Sequence, residues 1–161
     1  MTATSDKLIL DESELVKFRE KCRETGQKVV LVTGVFDILH IGHLKFLEKA
    51  RALGDILIVG VNSDEYVRNN KGSSRPIQKE YDRAYLIAGF ECVSCAHIYF
   101  FGNDFFQLLK PDILIMSSAG GRKIEDRAEH FEIIESNGGE VVIVDECAAV
   151  HSSEIIEKMN H

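Results

Sequence analysis

No stretch of this chain stays apolar for the ~20 residues that a membrane-spanning helix needs. No charged-then-apolar leader opens it, so a cytoplasmic protein without membrane attachment is expected. Basic residues are in the minority: 19 Lys and Arg stand against 26 Asp and Glu, for a formal net charge of -7. That balance disfavours a nucleic-acid surface, because phosphate backbones attract basic patches. It leaves room for one small basic pocket around a nucleotide. Cysteine is scarce, limited to Cys22, Cys92, Cys95 and Cys147, and in an intracellular chain these are read as reduced. Cys92 and Cys95 form a CxxC, but no second CxxC accompanies it. The pair closes an expected helix just before an expected strand, so structural thiols are the preferred reading over zinc or redox chemistry. No internal repeat, low-complexity tract or linker is visible. A chain of 161 residues with 45% apolar content is expected to form one domain with a sizeable core.

What is present is an alternation of helix and strand from end to end. Asp11, Glu12, Ser13 and Glu14 read as a helix start with a capping glutamate, and Leu15, Phe18 and Cys22 as its apolar stripe. Residues 1–27 are thus a helical extension. Strands are expected near 28–33, 56–61, 97–101, 111–116 and 141–144. Helices are expected after His40, over 78–90, near 105–109, over 128–137, and finally from Ser152 or Ser153 to Met159. The polar segments 63–77 and 120–125 read as loops. Strands and helices spaced in this way predict an α/β Rossmann-like three-layer fold, a parallel sheet with helices on both faces. Ligands of such sheets bind beyond the carboxyl ends of the strands.

His40 lies at such an end. The stretch Thr33-Gly34-Val35-Phe36-Asp37-Ile38-Leu39-His40-Ile41-Gly42-His43 follows the apolar run Val29–Val32 and leads into a helical pattern. Two imidazoles at i and i+3 share one helix face, beside free backbone N–H groups and the positive end of the helix dipole. Gly42 leaves no side chain between the rings and lets a nucleotide approach the backbone. Such a site can grip phosphate oxygens and follow negative charge as it builds on a phosphorus under attack. Zinc ligation by the two histidines with Asp37 is the weaker alternative, because HxxxH or Cys partners are usual. Ordinary helix-start polarity is the bland one, and the full GxFDxxHxGH stretch makes it a poor account.

That stretch resembles the signature of the cytidylyltransferase-like nucleotidyltransferases. Gly60-Val61-Asn62-Ser63-Asp64 looks like the family's second strand and following loop. Arg75-Pro76-Ile77, Asp82-Arg83-Ala84, Glu91-Cys92-Val93, Lys110-Pro111-Asp112-Ile113-Leu114-Ile115 and Gly138-Gly139-Glu140-Val141-Val142 are similar to the ADP-heptose synthase branch, in the same order. The resemblance covers about residues 28–158. It implies attack of a sugar- or alcohol-phosphate oxygen on the α-phosphate of a nucleoside triphosphate, with pyrophosphate leaving. ATP with a heptose-like phosphate leads on the segments 75–93 and 110–115. CTP with glycerol phosphate and an FAD-synthetase-like reaction follow.

The resemblance also implies roles. His40 and His43 hold the triphosphate and stabilise the transition state; Lys45 and Arg83 complete the catalytic set. Thr33, Gly34, Val35 and Phe36 supply the pocket floor, with Gly42 between the histidines, and Asp37 orients the site. Lys71, in the polar loop, reaches a phosphate; Ser152 and Ser153 bond phosphate at the last helix or merely cap it. Asp64, Arg75 and Arg122 are candidate acceptor contacts. For Lys45 and Lys71 a solvated lysine stays open, for Arg83 a surface ion pair with Glu80 or Asp82, and for Asp64 a helix cap. Mg²⁺ is expected to come with the triphosphate, without a protein ligand cage. The partners are small-molecule substrates, and a homodimer is expected.

Two segments depart from the family. Met116-Ser117-Ser118-Ala119-Gly120-Gly121-Arg122-Lys123 replaces an acidic motif with a small basic loop. Glu146-Cys147-Ala148-Ala149-Val150-His151-Ser152-Ser153 keeps two hydroxyls but lacks the usual arginine. They motivate a competing reading, a non-catalytic nucleotide-binding protein of the same fold; His40, Gly42, His43, Lys45 and Arg83 argue against it. A class I aminoacyl-tRNA synthetase fragment is discounted, since the chain is short, acidic and without a lysine-rich KMSKS-like loop.

Overall fold

A computed structural model describes residues 2–100, 102–118 and 125–145. Strand β1 (Val29–Gly34) is followed by α2 (Ile41–Arg51), with α1 (Glu12–Glu24) preceding it. Then come β2 (Ile56–Asn62), α3 (Asp64–Lys71), α4 (Glu80–Ala88), β3 (Cys95–Tyr99), α5 (Asn103–Leu109), β4 (Ile113–Ser117), α6 (Ala128–Ser136) and β5 (Glu140–Val144). The strands form one sheet in the order β3-β2-β1-β4-β5, and every neighbouring pair is parallel.

The near-continuous apolar strands follow from burial on both faces. Val30 and Val32 of β1 join one core with Leu47 and Ala50 of α2 and Ala84 and Ile87 of α4. Val29 and Leu31, pointing the other way, join a second core with Leu15 and Cys22 of α1, Leu109 of α5 and Ile134 of α6. The three-layer α/β expectation is therefore met. Among the described residues, no helix is long and apolar enough to cross a membrane.

The N-terminal extension is built into this frame. Asp11 caps α1 by accepting from Glu14 N. Leu8 pairs with Ala96 at the outer edge of β3, and His97 Nδ1 donates to Ile9 O at 2.7 Å. Arg19, 3% exposed, donates to Leu109 O and to Asp112 at 3.2 and 3.1 Å. The CxxC thiols behave as packing groups: Cys95 is buried in β3 and burial pushes it up to about 12. Burial also raises Cys22 and Cys92. Cys147 lies outside the described residues.

One expectation is corrected. Residues 63–77 are not all loop: 64–71 form α3, capped by Ser63, whose hydroxyl accepts from Tyr66 N at 3.2 Å. Only Val67 of this helix is buried, so it carries no apolar stripe for a periodic reading to find.

Candidate active site

The sheet runs outward from β1 through β2 to β3 on one side and through β4 to β5 on the other. The direction reverses beside β1, and the crevice at its carboxyl end is where such folds hold ligands. Phe36 turns the chain there with a φ of 52°, a left-handed backbone that is costly for a bulky residue and concentrates at functional sites. Its buried ring folds back under Gly34, where a Cβ would lie 2.9 Å from Phe36 Cε2. The same ring meets His43 edge-on, with centroids 5.4 Å apart at 62°.

The two histidines cap α2 reciprocally. His40 Nδ1 accepts from Gly42 N at 3.2 Å, and His43 Nδ1 accepts from His40 N at 3.3 Å. A nitrogen that accepts from an amide cannot also carry a proton, so each neutral ring is protonated on Nε2. The rings lie 3.9 Å apart at 32°. Two N–H donors thus sit side by side at a helix N-terminus, whose own dipole favours an anion.

Asp37 does not face this pair as an open carboxylate. It is 2% exposed and accepts from Ile77 N at 2.8 Å, Gln78 N at 2.9 Å and Arg75 Nε at 2.6 Å. Burial alone would raise its pKa; the Gln78 and Ile77 amides and the Arg75 guanidinium outweigh that and hold it below the usual 3.8. Asp37 orients the site indirectly, by tying segment 75–78 to the turn. Arg75 is correspondingly bound to protein.

Lys71 is the last residue of α3, not a loop residue. It is exposed overall, yet crowding by protein around the ammonium and the adjacent Arg75 charge lower its pKa, with Asp37 opposing. A lysine, an arginine and an aspartate therefore cluster beside the turn. Lys45 is exposed one turn into α2.

Arg83 is neither a surface ion pair nor turned to open space. It is fully buried and donates to Gln78 O and Asn62 O, both at 2.9 Å, to Val35 O, and to Asp64 Oδ1 at 2.6 Å. It joins the ends of β1 and β2 to α3 and to the 75–78 segment. Asp64 is the first residue of α3 rather than its cap, and its N–H donates to Glu80 Oε2 at 2.6 Å.

Thr33 leads to a network that sequence reasoning missed. Tyr99, at the end of β3, is hydrogen-bonded by Thr33 and by Asn62 Nδ2 at 3.1 Å. Burial pushes its phenol up to about 12, so it stays neutral. Gln78 and Glu80 were also missed, because their contacts to Asp37, Arg83 and Asp64 join residues far apart in the chain. Ser152, Ser153 and Arg122 lie outside the described residues. Among those described, no group of three or more metal-ligating side chains is brought together.

The cytidylyltransferase-like family model matches residues 31–158. The chain is 41% identical over 138 residues to the bifunctional protein HldE of Citrifermentans bemidjiense, covering 83% of this chain and 27% of that one. It is 49% identical over 105 residues to HldE of Helicobacter pylori, covering 63% and 22%. With HldE of Syntrophotalea carbinolica the figures are 35% over 161 residues, covering 93% and 32%. The chain thus spans a third or less of the length of these relatives. Among solved structures, a lipopolysaccharide core biosynthesis protein from Thermoplasma volcanium matches with a TM-score of 0.62 and 36% identity, over 75% of this chain and 97% of that one. A pantoate-beta-alanine ligase from Francisella tularensis, 14% identical over 91% of this chain and 68% of that one, shares the fold with a TM-score of 0.60. With the family matched across its length and the paired histidines at the reversal point of the sheet, the chain belongs to the cytidylyltransferase-like nucleotidyltransferases.

Proposed function

We propose that this protein transfers AMP from ATP to the phosphate of a heptose 1-phosphate-like sugar. An acceptor phosphate oxygen forms a bond to the α-phosphorus, the α–β P–O bond breaks, and the electron pair leaves with pyrophosphate. The observation that supports this reading is the histidine pair at the start of α2, each Nδ1 accepting from a backbone amide, which puts the proton of each neutral ring on Nε2. Fixed donors of this kind stabilise charge as it develops on phosphoryl oxygens without having to reorganise. The sugar assignment rests on the similarity of segments 75–93 and 110–115 to ADP-heptose synthase, on the HldE relatives, and on the lipopolysaccharide core protein of like structure.

In this reading Thr33, Gly34, Val35 and Phe36 form the floor under the phosphates. Lys71, with its lowered pKa, and Lys45 supply positive charge to them. Asp37, Arg75, Asp64 and Arg83 are positioning residues, because each is occupied by another protein group. With Asp37 and Asp64 engaged in this way, Mg²⁺ fits as a companion of the triphosphate, held by phosphate oxygens and water. A cytoplasmic homodimer belongs to the same reading, and sedimentation velocity tests the dimer.

The test is pyrophosphate release with Mg²⁺, offering ATP and CTP against heptose 1-phosphate, glycerol 3-phosphate and FMN. ATP with heptose 1-phosphate should be the productive pair. His43→Ala should lower kcat about 10²- to 10³-fold, the usual cost of one transition-state donor. A faster reaction of CTP with glycerol phosphate would overturn the assignment. Tight ATP binding without pyrophosphate from any pair would overturn the enzymatic reading.

A further inference from the structure

At the end of the sheet opposite the histidine turn, three cations line one cleft. Arg19 and Arg23 of α1 and Lys28, which leads into β1, meet Gly26, Gln27 and Asp112 around a volume of about 360 Å³, within the range of small-molecule sites. The six residues of β1 separate this cleft from the histidine turn by ~20 Å. Its one carboxylate, Asp112, is already engaged: Oδ1 accepts from Arg19 Nη2 at 3.1 Å and Oδ2 from Val29 N at 2.7 Å. The lining therefore carries two positive charges in excess, in a chain whose formal net charge is -7. Burial lowers the Arg19 pKa, Asp112 opposes, and the Arg23 charge adds to the lowering, so the two guanidiniums stand close enough to repel.

The donors left over point to a ligand. Arg19 is 3% exposed, yet only its Nε and Nη2 bond to protein, on Leu109 O, Lys110 O and Asp112. Its Nη1 has no hydrogen-bond partner among the described residues. Nor is Nη1 sealed from solvent, because the sealed, unpartnered side-chain atom among those residues is Gln78 Oε1. Nη1 is therefore open to the cleft that Arg19 lines. Arg23 makes one long bond, 3.4 Å from Nη2 to Lys110 O; its Nε and Nη1, and the Lys28 ammonium, have no partner among the described residues. The carbonyls that end α1 do not compete for these donors: Gly26 N and Gln27 N donate to Arg23 O and Cys22 O. A guanidinium buried with one nitrogen open, beside two further cations, suits an oxygen-rich anion. A phosphate monoester carries about -1.5 to -2 at pH 7 and matches the excess charge, whereas a monocarboxylate does not. We propose that this cleft is a phosphate-binding site, separate from the histidine turn, that takes phosphate or a small phosphate monoester. It stands independently of the reaction proposed above.

The experiment follows ¹H–¹⁵N NMR signals of the full chain through titrations with inorganic phosphate, glycerol 2-phosphate and acetate, at pH 7 and constant ionic strength. The Gly26, Gln27 and Lys28 amides and the Arg19 Nε–H should shift saturably with both phosphates and not with acetate. A preference for one of the two phosphates names the source, and either preference supports the site. Arg23→Gln combined with Lys28→Gln, both at exposed positions, should raise that Kd about tenfold or more. The Gly42 and His43 amides should respond in this variant as they do in the wild type. The charge-preserving pair, Arg23→Lys with Lys28→Arg, should bind more tightly than the glutamine pair. Shifts confined to Gly42 and His43 overturn the proposal while leaving the histidine site standing. An equal response to acetate, or an unchanged Kd in the glutamine pair, also overturns it. Equal weakening in the two paired variants does so too, since positive charge would then not be what the cleft supplies.

Discussion

One buried carboxylate, alongside the Arg83 guanidinium, holds segment 75–78 against the histidine turn. Asp37 accepts from two amides and a guanidinium while 2% exposed. Replacing it with Asn keeps the shape but ends the ion pair and leaves Arg75, whose side chain is 13% exposed, without its counter-charge. Asp37→Asn should cost about 2–4 kcal/mol in urea unfolding at pH 7. Because folding lowers this carboxyl's pKa below 3.8, its contribution is complete above that value. It is lost as pH falls through the lower folded-state value. The variant should therefore show a flatter stability profile below pH ~4 than the wild type. The histidines were legible from the sequence because their chemistry is local: cap, glycine and second ring lie within four consecutive positions. The work of Asp37 was not, because its partners lie 38 to 41 residues away.

At the level of elements, α3 is held by its ends rather than by a buried face. Ser63 caps it, Glu80 accepts from the Asp64 N–H, and Arg83 takes the Asp64 carboxylate at 2.6 Å. Local pattern reads such a segment as loop because only Val67 is buried. The strands were legible by contrast, since their β-branched runs fill two cores at once. The fully buried guanidinium joins α3, β1, β2 and the 75–78 segment. Losing it strands a carboxylate and several carbonyls together. Arg83→Met should cost about 3–5 kcal/mol, read as a lower denaturation midpoint with the slope retained. Asp64→Asn should cost less, because that side chain is 20% exposed and its partner keeps its carbonyl acceptors. The double variant should cost less than the sum of the two single ones. A strictly additive result would mean that the two groups do not act as a pair.

Across the whole molecule, the sheet has two ends with different tasks. The carboxyl end of β1 carries the histidine turn; the N-terminal extension secures the outer edge of β3 through Leu8 and Ile9. His97 ties the extension to β3. It is 1% exposed, stacks on Phe105 at 5.8 Å and 2°, and donates from Nδ1 to Ile9 O, which can only accept. Burial lowers its pKa below 6.5, with the Ile9 carbonyl and the charges of Glu12 and Asp11 opposing. The unfolded chain therefore binds this proton at a higher pH than the folded chain does. Stability from His97 is full above about pH 6.5 and falls as pH drops through the folded-state value. Acid should weaken the molecule in two windows, first below about pH 6.5 at the β3 edge and then below about pH 4 at the Asp37 latch. Urea unfolding from pH 7.5 to 3 on His97→Phe, which keeps the stacking, should remove the upper window and leave the lower one. Hydrogen exchange should show residues 8–9 and 96–97 opening in the upper window, with the α2 amides still protected there. Loss of both regions together at pH 6 would mean that the edge and the site unfold as one unit. In that case His97 would report on the whole sheet rather than on its margin.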